Sequence, residues 1–176
     1  ASAVADAVLF AAGLAAAGFR TLPAPLPGGT LSLGLDQDST ELRLACQRAM
    51  NVGVVLVAAT GNSGSHVLYP AAYDGVIGGG AGDGRLETTA YSNYGPEVDL
   101  VAPGGLGTHD AWADGWPDAL FGASVDETLP SRPYVLGLLQ GTSQAAPQVA
   151  GAVALHLSVD PTLTSSDVAV LLQSSA

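Results

Sequence analysis

Two short stretches carry the residue types that could do chemistry. Gly141-Thr142-Ser143 opens a run of small and apolar residues, GTSQAAPQVAGAVAL, that ends at Leu155. This pattern places a serine hydroxyl at the first turn of a buried helix, where the partial positive charge of the helix N-terminus favours developing negative charge. Pro147 has no N–H to give the carbonyl of residue 143, so it is tolerable only near the helix start. The second stretch, VVLVAATGNSG from Val54 to Gly64, is a buried strand that ends in Thr60-Gly61-Asn62. In an open α/β fold such an asparagine lies at the carboxyl edge of the sheet, where ligands bind. By itself Asn62 reads as a turn residue that tolerates left-handed geometry. A serine at a helix start likewise reads as a common cap.

The remaining candidates are weaker. A serine nucleophile needs a base, and the base needs an orienting carboxylate. The histidines are His66, His109 and His156. His156 lies on the same expected helix as Ser143, more than three turns further on and about 20 Å along its axis. His66, four residues after Asn62, reads as a loop residue at the rim of a cleft or as an exposed imidazole. The acidic loop His109 to Asp118, HDAWADGWPD, offers Asp110, Asp114 and Asp118 with Gly115. That spacing approximates a calcium loop, but Trp112 stands where an oxygen donor is wanted. A solvated acidic loop is the competing reading.

The elements that must position these residues follow from periodicity. Val4 to Ala17 has helical propensity with Gly18 as a stop. Three prolines and two glycines between Arg20 and Gly29 predict a loop. Thr30 to Leu33 is a short strand. From Glu41 to Asn51, Leu42, Ala45, Cys46 and Ala49 recur at helical spacing, and Val52 to Ala59 is a strand buried on both faces. Strand, helix, strand in that order is a parallel crossover. Gly75 to Ala81 and Glu97 to Ala102 are two further strands. Residues 105–133 read as an irregular acidic insertion loop, and Thr164 to Ser174 as a final helix.

Composition sets the class. The chain has 176 residues, 48% hydrophobic, with 23 glycines and a formal charge of −11. It suits one α/β body with a substantial core. Five cationic side chains against sixteen acidic ones exclude nucleic acid and anionic membrane surfaces as expected partners. No apolar run is long enough to span a bilayer, and the N-terminal apolar stretch carries Asp6 and no basic flank, unlike a secretory leader. The single cysteine, Cys46, permits no disulfide within the chain and reads as a buried core residue.

Taken together the motifs resemble the subtilisin-like serine proteases. GTSQAAPQVAG matches that family's GTSxAAPxVAG. Tyr69 to Ile77 is similar to its YPAxYxxVI segment, and Ala90 to Gly104, AYSNYGPEVDLVAPG, to its (F/Y)SNxGxxVDxxAPG run. TLSLG from Thr30 looks like the strand on which substrate aligns by β-augmentation. The first helix resembles, less specifically, the ADAxLxAAGL helix of bacterial secreted members.

The resemblance implies a partial three-layer α/β domain, a mostly parallel sheet flanked by helices, in which this chain is the C-terminal portion of the catalytic domain. It implies Ser143 as nucleophile, with Asn62 and the Ser143 N–H as oxyanion donors. One such donor is worth about 100- to 1000-fold in turnover. Ser32, Leu33 and Gly34 would line one side of the recess for the residue before the scissile bond (P1), Ala59, Thr60 and Gly61 the other, with Ala71 at its base. A recess so floored would favour large apolar or aromatic P1 residues. Neither the family's Asp motif nor its HGTHVAG histidine motif is present. The expectation is therefore a secreted, extracellular serine endopeptidase acting on polypeptides, needing no cofactor for its chemistry. Its base and acid would come from an N-terminal half of the same domain, so the chain alone would be inactive. Two other readings compete: a non-catalytic homologue that keeps a peptide-binding cleft, and a nucleotide-binding doubly wound domain, which lacks a phosphate loop.

Overall fold

The structure is a computed structural model that describes residues 2–15, 21–85, 87–110, 113–128, 130–131 and 133–176. Its centre is a four-stranded parallel sheet in the order β1 (Gly28–Leu31), β2 (Val55–Ala59), β3 (Ile77–Gly82), β4 (Leu100–Pro103). Every residue of β2 is buried, and alternation sends its side chains into two cores. Leu56 and Ala58 join α1 (Ser2–Ala11) and α2 (Thr40–Asn51) through Val8, Leu42, Cys46 and Ala49. Val55, Val57 and Ala59 face α3 (Thr142–Val159) and α4 (Ser165–Ser175) through Ala146, Val149, Val153 and Val168. The expected α/β layering is therefore present: helices cover both faces of a parallel sheet.

The small residues of α3 let it lie close on the sheet. A Cβ at Gly79 of β3 would stand 3.1 Å from the Cα of Ala146, so neither partner could carry a larger side chain without separating the layers. The crossover from β1 through α2 to β2 is as the periodicity requires. Ser39 caps α2 by accepting the Leu42 N–H.

The boundaries differ in informative places. Helix α1 ends at Ala11 rather than Ala17, because Gly13 takes a left-handed turn at φ 67°; the expected stop at Gly18 lies outside the described residues. The loop expected up to Gly29 gives way to β1 at Gly28, since its prolines end at Pro27 and Gly28 and Gly29 pair with Val55 and Leu56. Residues 105–133 are not irregular throughout. Leu120–Val125 forms β5, antiparallel to β6 (Tyr134–Leu139), in a separate two-stranded ribbon. Its apolar side chains are exposed on both faces, so it lacks the alternation that marks a half-buried strand.

No helix among the described residues is long and apolar enough to cross a membrane.

Candidate active site

The fold brings Ser143, Asn62 and the strand end at Ser32 together at the carboxyl edge of the sheet. Helix α3 starts with Gly141 at φ 142° and no side-chain cap of its own. The cap comes from Asn62, whose Oδ1 accepts the Thr142 N–H at 2.8 Å and the Thr142 hydroxyl at 2.9 Å. Thr142 is fully buried, and its Oγ1 in turn accepts the Gly61 N–H at 3.1 Å. A backbone N–H can only donate, so the Thr142 N–H fixes which end of the Asn62 carboxamide faces the helix. The amide NH2 must point the other way, and it has no protein acceptor among the described residues.

Ser143 occupies the next position of the helix. Its backbone N–H is one of the donors that a helix start leaves unpaired, and among the described residues it has no partner. Its Oγ is 3.4 Å from the carbonyl of Ser32. Ser32 returns a stronger bond, its hydroxyl donating to the Ser143 carbonyl at 2.9 Å. That carbonyl is the one Pro147 cannot serve, so the proline inside α3 and the serine at the end of β1 are complementary. The pairing ties Ser32-Leu33-Gly34 to the first turn of α3.

A buried asparagine that the motif contained but that was given no role shapes the other half of the site. Asn93, 1% exposed, accepts with one oxygen from the N–H groups of Ser63 and Ser65 and the hydroxyl of Ser63, and donates to the His66 carbonyl. It thereby moulds the loop that carries Asn62. Gly61, at φ 111°, has no room for a side chain, because a Cβ there would collide with the Asn93 amide. The only signal for this was the SNYG string itself, since a buried structural asparagine looks like any turn residue in sequence.

The residues expected to wall the P1 recess lie on two segments that approach each other across Leu68. Thr60 and Ala71 are buried, and Ser32 and Gly34 are exposed on the segment that follows β1. The Leu35 and Tyr69 backbones exchange two hydrogen bonds, at 2.8 and 3.0 Å, which seal the end of that gap. Leu68, just before Tyr69, lies between the two walls. Ala71 sits beneath with Tyr69 and Tyr73, whose ring centroids are 4.9 Å apart. Burial pushes the Tyr73 hydroxyl above its ordinary pKa, although it also accepts the Ser39 N–H at 3.2 Å.

No histidine meets Ser143 among the described residues. The Nδ1 of His66 is 3.2 Å from the Ser65 hydroxyl, and His156 is near the far end of α3. In the acidic loop, carboxylates accept from the loop's own backbone. The Asp110 carboxylate accepts the N–H groups of Asp114 and Gly115, and Asp114 that of Trp116. Among the described residues no three His, Cys, Asp or Glu side chains converge to hold a metal. Trp112 lies outside the described residues.

Residues 30–176 match the subtilase family. The chain belongs to that family. It is 41% identical over 151 residues to subtilisin DY of Bacillus licheniformis, an alignment covering 83% of this chain and 48% of that protein. It is 38% identical over 132 residues to the major intracellular serine protease of Bacillus subtilis, covering 72% of this chain and 35% of that one. Among solved structures, proteases from Pseudoalteromonas arctica superpose with a TM-score of 0.86 at 28% identity, over 98% of this chain and 51% of theirs. A cold-adapted subtilisin-like serine proteinase superposes at 0.71 with 30% identity, over 99% and 54%. This subtilase chain thus spans between about a third and a half of the length of the relatives it matches.

Proposed function

We propose that this chain is the C-terminal part of a secreted subtilisin-like serine endopeptidase and supplies its nucleophile, oxyanion hole and part of its substrate cleft. The observation that carries the reading is the orientation of Asn62. Oδ1 is committed to Thr142 at the start of α3, where the Ser143 N–H also has no partner among the described residues. This supports a reading in which the Asn62 NH2 and that N–H are two donors at the positive end of the helix. A substrate carbonyl held there places its carbon against Ser143 Oγ.

In the proposed reaction Ser143 Oγ attacks the peptide carbonyl carbon, and its proton passes to an imidazole supplied by the N-terminal portion of the domain. The tetrahedral oxyanion is held by Asn62 Nδ2 and the Ser143 N–H. Collapse expels the amine, which takes that proton, and leaves an acyl-serine. Water then attacks the acyl carbon, giving a proton to the imidazole and releasing the carboxylic acid and Ser143. The polypeptide substrate lies in extended form beside Ser32, Leu33 and Gly34, with Ala59, Thr60 and Gly61 opposite and Ala71 below. No cofactor takes part. The exposed edge of β1 is where the remainder of the sheet would pair, which supports a chain that is inactive alone. An acidic surface and similarity to subtilisins support secretion.

The test is a fluorophosphonate probe. It is expected to label Ser143 in the full-length parent, to fail on Ser143→Ala, and scarcely to react with this chain alone. An unlabelled but folded parent would mark a non-catalytic homologue. Strong labelling of the isolated chain would show that its base is already present.

The Asp110, Asp114 and Asp118 loop is read as solvated rather than as a structural calcium site. Millimolar calcium is expected to leave the melting temperature unchanged; a rise would reverse that assignment.

A further inference from the structure

The register of the β5–β6 ribbon sorts its side chains onto two unlike faces. Directly opposed residues of an antiparallel pair point the same way, and successive pairs alternate. Phe121 opposite Leu138, Ala123 opposite Leu136 and Val125 opposite Tyr134 therefore share one face. All six are exposed, Tyr134 by 88% and Leu136 by 66%. Trp116 is also exposed and extends this face, its ring standing nearly perpendicular to that of Phe121 at 5.7 Å. The other face has Gly122 opposite Gly137 at its middle, so it offers no continuous apolar surface. Neither strand carries a charged residue.

The exposed face is larger than chance exposure explains. A whole aromatic side chain presents roughly 150–250 Å², so at these exposures the face offers on the order of 700 Å². The largest apolar patch on a monomeric protein is about 300–600 Å². The ribbon is also rooted away from the open edge at β1. It leaves the sheet after β4, the opposite edge. There the Gly104 carbonyl accepts the Gly141 N–H at 2.8 Å, and Gln140 Oε1 accepts the Gly107 N–H at 2.7 Å. A remainder of the domain that pairs along β1 would sit at the other end of the sheet and leave this face open.

We propose that the face joins two copies of the protein, ribbon on ribbon about a two-fold axis. A two-fold contact needs a surface complementary to itself. An uncharged apolar face meets that condition, whereas a charged one would repel its copy. Two copies would bury on the order of 1,400 Å² in total, within the range of about 1,200–2,000 Å² that specific interfaces bury. Ribbons stacked face to face lie about 10 Å apart, close enough for the side chains of both to interdigitate. The inference uses the pairing of the remaining domain along β1 but not the chemistry of Ser143.

The experiment uses the full-length parent carrying Ser143→Ala, which cannot digest itself. Sedimentation velocity between about 1 and 100 μM is expected to show a two-copy species whose share rises with concentration. Leu136→Glu sets a charge within the face and is expected to raise the dissociation constant at least about tenfold. Tyr134→Ser, a milder change, should act in the same direction if the glutamate variant folds poorly. Ser124→Glu, on the opposite face, should leave association unchanged. A parent that stays a single copy throughout overturns the inference. So does association that survives Leu136→Glu in a folded variant, or that Ser124→Glu abolishes equally. A single-copy parent that binds phosphatidylcholine vesicles, or whose binding of a long polypeptide weakens with Leu136→Glu, assigns the face to lipid or to substrate instead. Labelling of the unsubstituted parent by the fluorophosphonate probe reads the endopeptidase proposal separately, so a paired but unlabelled parent would overturn that proposal and support this one.

Discussion

Thr142 shows how much of a serine site rests on its neighbours. Its hydroxyl is fully buried, donating to Asn62 and accepting from Gly61, so one oxygen links the loop of the proposed amide donor to the start of α3. Thr142→Val keeps the shape and removes both bonds. The Gly61 N–H would then be buried without a partner, which costs about 1–3 kcal/mol. We expect the variant of the full-length protein to lose that much in urea unfolding. Turnover should also fall, since Asn62 would keep only its bond to the Thr142 N–H. Unchanged stability and activity would show that the hydroxyl does not link the two. Ser32 acts similarly on a carbonyl that Pro147 leaves open. Ser32→Ala should be the gentler change, because that carbonyl lies near solvent, where water can replace the hydroxyl.

At the scale of elements, α3 is fixed at its start by Asn62 and along its length by Gly79, whereas α4 depends on its own cap. Thr164 and Asp167 form a reciprocal capping box, the Thr164 hydroxyl accepting the Asp167 N–H and the Asp167 carboxylate accepting from the Thr164 backbone and hydroxyl. Those two donors hold the carboxyl below the ordinary aspartate value of 3.8. A depressed folded pKa gives stabilisation that is complete above the unfolded value and lost as pH falls from there through the folded one. Acidification below pH 3.8 should therefore fray α4, seen as loss of amide-exchange protection over residues 165–175. Asp167→Ala should remove that pH dependence, holding protection at neutral pH near the level that the parent shows only in acid. Persistence of the same slope in the variant would assign it to another group. Asp99 behaves oppositely. Burial raises its pKa even though it accepts the Gly78 N–H at 2.7 Å, so its charge disfavours the fold at neutral pH. Asp99→Asn retains an acceptor for Gly78 and should be tolerated.

At the scale of the molecule, β1 and β4 are the two edges of the sheet. Beside β1, the small residues Ala150, Gly151 and Ala154 of α3 line a groove with Pro27, Gly28 and Gly29. Leu155 is 71% exposed and Val159 87%. An unpaired strand edge flanked by apolar surface pairs readily with another chain. The isolated chain is expected to self-associate in sedimentation velocity, and co-expression with the upstream portion of its domain should give a single soluble species. A monodisperse monomer of the chain alone would show that this edge needs no cover. The β5–β6 ribbon also leaves Tyr134 and Leu136 well exposed.

The sequence by itself determined the layers and the family. The continuous apolar run of β2, the helical spacing of Leu42, Ala45, Cys46 and Ala49, and the strings around Ser143 and Asn62 are local patterns, set by backbone periodicity and by residue types that few roles require. Where local pattern and tertiary pairing diverge, reading failed. Gly28 and Gly29 have no strand character until Val55 and Leu56 pair with them, and β5 exists only opposite β6. The same holds within the site. Asn93 is a turn residue until burial gives its amide four partners, and Leu68 is an ordinary apolar residue until two glycines close on it from segments some thirty and seven positions away in the chain. Sequence specified which groups could react, because reactivity belongs to the side chain. What they can reach is decided by which backbones approach one another, and only the tertiary structure holds that.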